Sequence, residues 1–146
     1  MEEKILNAVG MSRDEQQQIS DETLLALAVS ARERSYSPYS GYAVGAALLS
    51  ADGRVFQGCN IESASFGLTN CAERTALFSA ISEGAEEFTT IAIAASGSAP
   101  WPCGACRQVL NEFAPEIRVI VTWDGHVEEM PLSGLLPHGF GPKSLE

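Results

Sequence analysis

Residues 71–122 read CAERTALFSAISEGAEEFTTIAIAASGSAPWPCGACRQVLNEFAPEIRVIVT, and this stretch decides the fold class. Cys71 to Ile81 is built of helix formers without Gly or Pro, and Gly84 supplies a C-terminal stop. Phe88 to Ser96 (FTTIAIAAS) is apolar and β-prone, which predicts a central strand. Pro102 stands at the entry to a second helix, Cys103 to Phe113, which must stop before Pro115. Ile117 to Thr122 (IRVIVT) reads as another buried strand. Helices and strands that alternate in this way predict an α/β domain.

Working outward, Ser20-Asp21-Glu22-Thr23 is a helix start, with Ser20 as N-cap and acids in the first turn. Leu24, Leu25, Leu27, Ala28 and Ala31 follow at helical spacing, and the helix is expected to end near Ser35–Ser37, before Pro38. Ala43 to Ser50 and Arg54 to Ile61 read as a hairpin about Ala51-Asp52-Gly53. Val127 to Met130, after an Asp124-Gly125 turn, is a short last strand, and Leu132 to Leu136 a helical turn. The order α-β-β-α-β-α-β-β predicts a three-layer α/β/α sandwich around a mixed five-stranded sheet. Residues 1–19 are polar and weakly patterned and are expected to form a tail, with one domain over 20–146.

Length and charge narrow the function. The chain has 146 residues, enough for one hydrophobic core. Nine basic against nineteen acidic residues leave a net charge of −10, which repels phosphate backbones and anionic lipid. The longest apolar run, Thr90 to Ser98, falls far short of the ~20 residues that span a bilayer. The first residues lack the basic flank and apolar core of an export signal, so the expectation is a soluble, cytoplasmic protein without membrane or nucleic-acid partners.

The cysteines carry the chemistry. Cys71, Cys103 and Cys106 all fall at the start of a predicted helix, where free N–H donors and the helix dipole stabilise a thiolate. Two helix starts brought together would aim three thiolates at one centre, and a metal explains why such groups converge without repulsion. Zinc suits soft ligands in tetrahedral geometry, and three protein ligands leave an open, catalytic position. Glu73, two residues past a ligand, can exchange protons with a water there. Three thiolates on a divalent ion weaken its pull on water, and Arg74 is the candidate to draw charge off the sulfurs.

Cys-Ala-Glu followed by Pro-Cys-x-x-Cys is the signature of zinc nucleobase deaminases. With Tyr39 to Ala47 (YSGYAVGAA), Gly58 to Thr69 (GCNIESASFGLT), Cys71-Ala72-Glu73-Arg74 and Pro102 to Gln108 (PCGACRQ), the chain resembles the small homotetrameric cytidine deaminases from about Ser20 to Phe140. The resemblance implies one Zn2+ per chain on Cys71, Cys103 and Cys106, with Glu73 as proton shuttle. It implies that Asn60 and Glu62 bind the ribose 3′-hydroxyl, that the Ala72 backbone meets the pyrimidine, and that position 42 packs on the nucleoside. Phe140 would stack on the base from a neighbouring subunit, with Ala64 and Phe66 also contributed by a neighbour. It further implies hydrolysis of cytidine and deoxycytidine to uridine and deoxyuridine in pyrimidine salvage. Two positions depart from the family pattern: Tyr42 where Phe is frequent, and Phe66 where Tyr is usual, which removes a hydroxyl near the sugar.

Other readings stay open on sequence alone. A structural zinc site would need a fourth ligand from Cys59, His126 or His138. Cys59 is expected to be a small buried hydrophobe and the histidines surface residues. A redox pair at Cys103 and Cys106 would leave Cys71 and Glu73 unexplained. Trp101 and Trp123 are read as packing residues. A deaminase of a cytosine-nucleoside antibiotic and a non-catalytic zinc-stabilised nucleoside binder are the functional alternatives.

Overall fold

The computed structural model describes residues 19–146. The tail expected over 1–19 therefore lies outside the described residues except for Ile19, which packs half-buried against the first helix layer.

Helix α1 is Asp21–Ala31. The Ser20 hydroxyl caps it, accepting from the Thr23 N–H at 3.1 Å. The α-helix ends earlier than the sequence suggests: residues Arg32–Arg34 continue it as a single 3-10 turn. Strands β1 (Gly45–Ser50) and β2 (Val55–Cys59) form the expected hairpin. Helix α2 (Ala72–Ser82), β3 (Phe88–Ala95), α3 (Gly104–Phe113), β4 (Arg118–Trp123), β5 (His126–Pro131) and a single turn α4 (Leu132–Leu135) complete the order. The sheet runs β2-β1-β3-β4-β5, with β3 and β4 parallel and the other pairs antiparallel. Asp124 (φ 45°) and Gly125 (φ 83°) both take positive φ, as a two-residue primed hairpin turn demands.

Two apolar layers explain why β1, β3 and β4 read as near-continuous hydrophobic runs. Ala46, Leu48, Ile91, Ile93, Val119 and Val121 face α2 and α3, where Leu77 and Leu110 are fully buried. The alternating residues Ala47, Ala92 and Ala94 face α1, against Leu24 and Ala28. A strand covered on both faces loses the polar alternation of a half-solvated one. At the edge, every residue of β5 is exposed, and Glu128 and Glu129 place charge there, which opposes edge-to-edge pairing.

Two glycines set the layer spacing. A Cβ at Gly45 would stand 2.1 Å from the Ala28 carbonyl oxygen. One at Gly58 would stand 2.4 Å from the Ala76 nitrogen and 2.5 Å from the Ala72 oxygen. The backbone of α2 thus lies directly on β2. This contact fixes the first turn of α2, which carries Glu73, relative to the end of β2, which leads into Asn60. None of the helices among the described residues is long and apolar enough to cross a membrane.

Candidate metal centre and nucleoside cavity

Cys71 is the N-cap of α2 and Cys103 the N-cap of α3, with Cys106 in the first turn of α3 and fully buried. No capping side chain closes either helix start. Both sets of free N–H groups therefore face the sulfurs. The three Sγ atoms lie within 4.8 Å of one another, and no other Cys, His, Asp or Glu among the described residues joins them at that range. Cys71 Sγ is 3.9 Å from Cys103 Sγ, which is 3.5 Å from Cys106 Sγ. Sulfurs placed ~2.3 Å from a tetrahedral zinc stand about 3.8 Å apart, so the cluster fits the metal as it is. Disulfide bonding is absent from all four cysteines.

The electrostatics around the sulfurs are those of a charge-dense centre. The hydrogen bond from Cys106 holds the Cys71 thiol below its ordinary range, with Arg74 adding to the effect. The same contact, with burial, pushes Cys106 up. Arg74 donates through Nη2 to Cys71 Sγ at 3.4 Å, while its Nε is buried without a partner. A buried guanidinium nitrogen with no partner is tolerated beside concentrated negative charge, which three thiolates supply. Glu73 is 5% exposed, and burial pushes its carboxyl up to about 7, with the neighbouring Cys71 charge adding to it. A carboxyl that titrates near neutrality can both take and return a proton.

Above the sulfurs opens a cavity of about 400 Å³, lined among others by Tyr42, Asn60, Glu62, Ala72, Glu73 and Trp101. That volume suits a small organic ligand. Asn60 is buried and its side chain joins three segments. Its Oδ1 accepts from the Val44 N–H at 2.9 Å and from the Ser35 hydroxyl, and its Nδ2 donates to the Tyr42 carbonyl at 2.7 Å. Both acceptor sites are filled, so only one Nδ2 hydrogen remains for a ligand. Glu62 accepts from the Tyr39 and Ser40 N–H groups at 2.9 and 3.1 Å and from the Ser40 hydroxyl. The Ser40 hydroxyl, more than any other contact, holds its carboxyl below the ordinary range. The carboxylate is thus fixed and ionised, an acceptor only.

This double duty of Asn60 has a measurable consequence. Asn60→Ala strands the Val44 N–H and the Tyr42 carbonyl, at ~1–3 kcal/mol for each buried group left unpaired. A fall in Tm of at least about 4 °C is expected at ~2–4 °C per kcal/mol, whereas Glu62→Gln should leave Tm within a degree or two. Equal melting of the two variants would contradict the assignment.

These positions belong to a known family. The profile described as the cytidine and deoxycytidylate deaminase zinc-binding region matches residues 18–122. The chain belongs to the cytidine and deoxycytidylate deaminase family. It is 46% identical over 127 residues to a cytidine deaminase of Sporosarcina psychrophila, covering 85% of this chain and 93% of the relative. It is 51% identical over 125 residues to one from Halalkalibacterium halodurans, at 84% and 95% coverage. Among solved structures, the cytidine deaminase of Burkholderia pseudomallei superposes with a TM-score of 0.81 at 47% identity, over 84% of this chain and all of that one. That of Mycobacterium tuberculosis gives 0.74 at 38%, over 84% and 98%.

The deaminase fold does not bring every expected residue to one place. Ala64, Phe66 and Phe140 are absent from the cavity lining, and all three are exposed, Phe66 to 74% and Phe140 to 57%. Phe66 stands beside an adjoining hollow that shares Ser40, Glu62 and Thr69 with the cavity, its ring edge-on to Tyr39 at 5.9 Å. Cys59 corrects an expectation: as the last residue of β2 it is half-exposed rather than buried, its Sγ donating to the Arg34 carbonyl. Ile61 lies beyond the strand and makes isolated bridges to Tyr36 and Asn70. Trp101 packs on the core with one face, as expected, and also walls the cavity. Its place one residue before Pro102-Cys103 was the available signal for the second role. Ser40, which seats Glu62, carried no such signal.

Proposed function

We propose that this protein hydrolyses the 4-amino group of cytidine and deoxycytidine, releasing ammonia and leaving uridine and deoxyuridine, as part of pyrimidine salvage. One observation carries this reading: a buried Glu73 beside three converged sulfurs lines the same cavity as Asn60 and Glu62. The single catalytic domain is taken as residues 20–146.

Cys71, Cys103 and Cys106 would hold one zinc. Bound there, the metal supplies Lewis acidity that makes water a competent nucleophile near neutral pH. Glu73 takes the proton of the attacking water and passes it to N3 of the pyrimidine. It then takes the remaining proton of the oxygen added at C4 and delivers it to the departing amine, so that the C4–N bond breaks, C4 becomes a carbonyl, and water and cytidine give ammonia and uridine. Arg74 withdraws charge from the sulfurs. The Ala72 backbone meets the pyrimidine edge, and Tyr42 packs on the nucleoside. Asn60, with its oxygen already filled, donates Nδ2–H to the 3′ oxygen, while Glu62 accepts the 3′ O–H.

The lining favours a nucleoside over a nucleotide. It holds two carboxylates and no Lys or Arg, on a chain of net charge −10. A 5′-phosphate finds repulsion there. Exposed Ala64, Phe66, Leu68 and Phe140 support a homotetramer in which neighbours complete each site. Four free cysteines suit a reducing cytoplasm.

Ammonia release tests the proposal. Cytidine and deoxycytidine are expected to turn over, with deoxycytidylate slower by tenfold or more. 3′-Deoxycytidine should lose roughly 10–100-fold in kcat/KM, because two polar groups lose their partner. Turnover of a cytosine-nucleoside antibiotic in preference to cytidine would replace the substrate assignment. Absence of ammonia from zinc-loaded protein would make the chain a binder.

A further inference from the structure

Helix α3 carries two of the cluster sulfurs at its start, and its next turns hold the chain end. Arg107 donates through Nε to the Pro102 carbonyl at 2.7 Å and through Nη1 to the Leu135 carbonyl at 2.9 Å. Gln108 Nε2 and Asn111 Nδ2, one turn apart on α3, both donate to the carbonyl oxygen of Phe140, at 2.7 and 3.0 Å. Both lone pairs of that one oxygen are thereby used. Phe140 is held by its backbone while its ring stands 57% exposed, with no seat in the cavity of its own chain.

The flanking residues fit this arrangement. His138 takes a positive φ of 54°, so the chain turns sharply just before the clamp. A Cβ on Gly139 would lie 3.3 Å from Asn111 Nδ2 and 2.9 Å from Leu136 Cδ2, and one on Gly141 would lie 3.0 Å from Asn111 Nδ2. Side chains on either side of Phe140 would push the amide away. The Gly139-Phe140-Gly141 backbone reaches α3 closely enough for both donors because neither neighbour has a side chain. Apolar anchoring cannot account for the contact, since the ring takes no part in it.

We propose that Gln108 and Asn111 are positioning residues that clamp the Phe140 carbonyl and so aim its ring at the nucleoside cavity of a second copy of this chain. The inference rests on the proposed function, in which neighbours complete each site, and reads the Phe140 ring as the part that stacks on the base. It adds that α3 serves two sites at once: its first turn holds metal ligands in one subunit, and its outer face sets the base platform of the next. Neither Gln108 nor Asn111 lines the nucleoside cavity.

The test is a thermodynamic cycle on cytidine turnover, with zinc content and assembly mass measured in parallel. Phe140→Ala is expected to raise KM roughly tenfold, the size of one lost base–aromatic stack, with a smaller change in kcat. Gln108→Ala/Asn111→Ala should reproduce most of that rise at unchanged zinc content and mass. Added to Phe140→Ala, it should raise KM no further. The near-isosteric Gln108→Glu and Asn111→Asp, which replace a donor by an acceptor facing the carbonyl, should act in the same direction if the alanine variant folds poorly. An unchanged KM in Phe140→Ala overturns the stacking reading and the clamp with it. A raised KM there, with unchanged KM in all the clamp variants, overturns the clamp alone. So does a clamp effect of equal size with and without Phe140.

Discussion

Glu73→Gln should keep the fold and one zinc per chain while kcat falls by about 10²–10⁴-fold, the contribution of a positioned acid–base group. The substitution preserves shape at a site only 5% exposed, so little repacking is called for. It removes the group that burial holds near neutrality and that the proposed reaction uses to carry protons from water to ring nitrogen and amine. An amide neither takes nor returns a proton there. The KM for cytidine should change far less than kcat, because Asn60 and Glu62, the proposed ribose contacts, are untouched by the substitution. Ammonia release under saturating cytidine, with zinc measured on the same sample, checks this. A variant with wild-type turnover would remove Glu73 from the mechanism.

Cys106→Ala should cost the metal and the activity together. Cys106 is fully buried, meets Cys103 Sγ at 3.5 Å and lies in the first turn of α3. Two thiolates at two helix starts are a poor site for a divalent ion that takes three or four ligands. Zinc per chain should fall from about one to below ~0.1 after dialysis, and turnover should fall with it. Metal loss also removes the ion that ties the starts of α2 and α3 together, so a lower Tm is expected. Chelation of the unaltered protein should give the same loss, reversed by adding zinc. Activity that survives at near-zero zinc would overturn the metal assignment.

Much of this architecture was legible in residue order. Capping at Ser20, the Asp124-Gly125 turn and the stops at Gly84 and Pro115 are local devices, so the elements they bound appear close to where the sequence puts them. Errors fall where tertiary contact overrides local preference. α1 tightens at Arg32, whose Nε and Nη2 reach the Ala43 carbonyl and the Ser96 hydroxyl. β2 gives up Asn60 because its amide is drawn to Val44, Tyr42 and Ser35, and Ile61 pairs elsewhere.

The sequence by itself determined the donor set: three sulfurs at helix starts and a carboxyl two residues beyond one of them, since helix position and side-chain chemistry are both local. Only the tertiary structure decided how far apart those sulfurs stand, that Asn60 has a single hydrogen left to offer, and that the Phe140 ring leaves its own cavity. Those facts depend on β2 lying against α2 at Gly58 and on α3 gripping the chain end, contacts between segments tens of residues apart. Spacing along a chain says which groups exist; packing alone brings them within bonding distance.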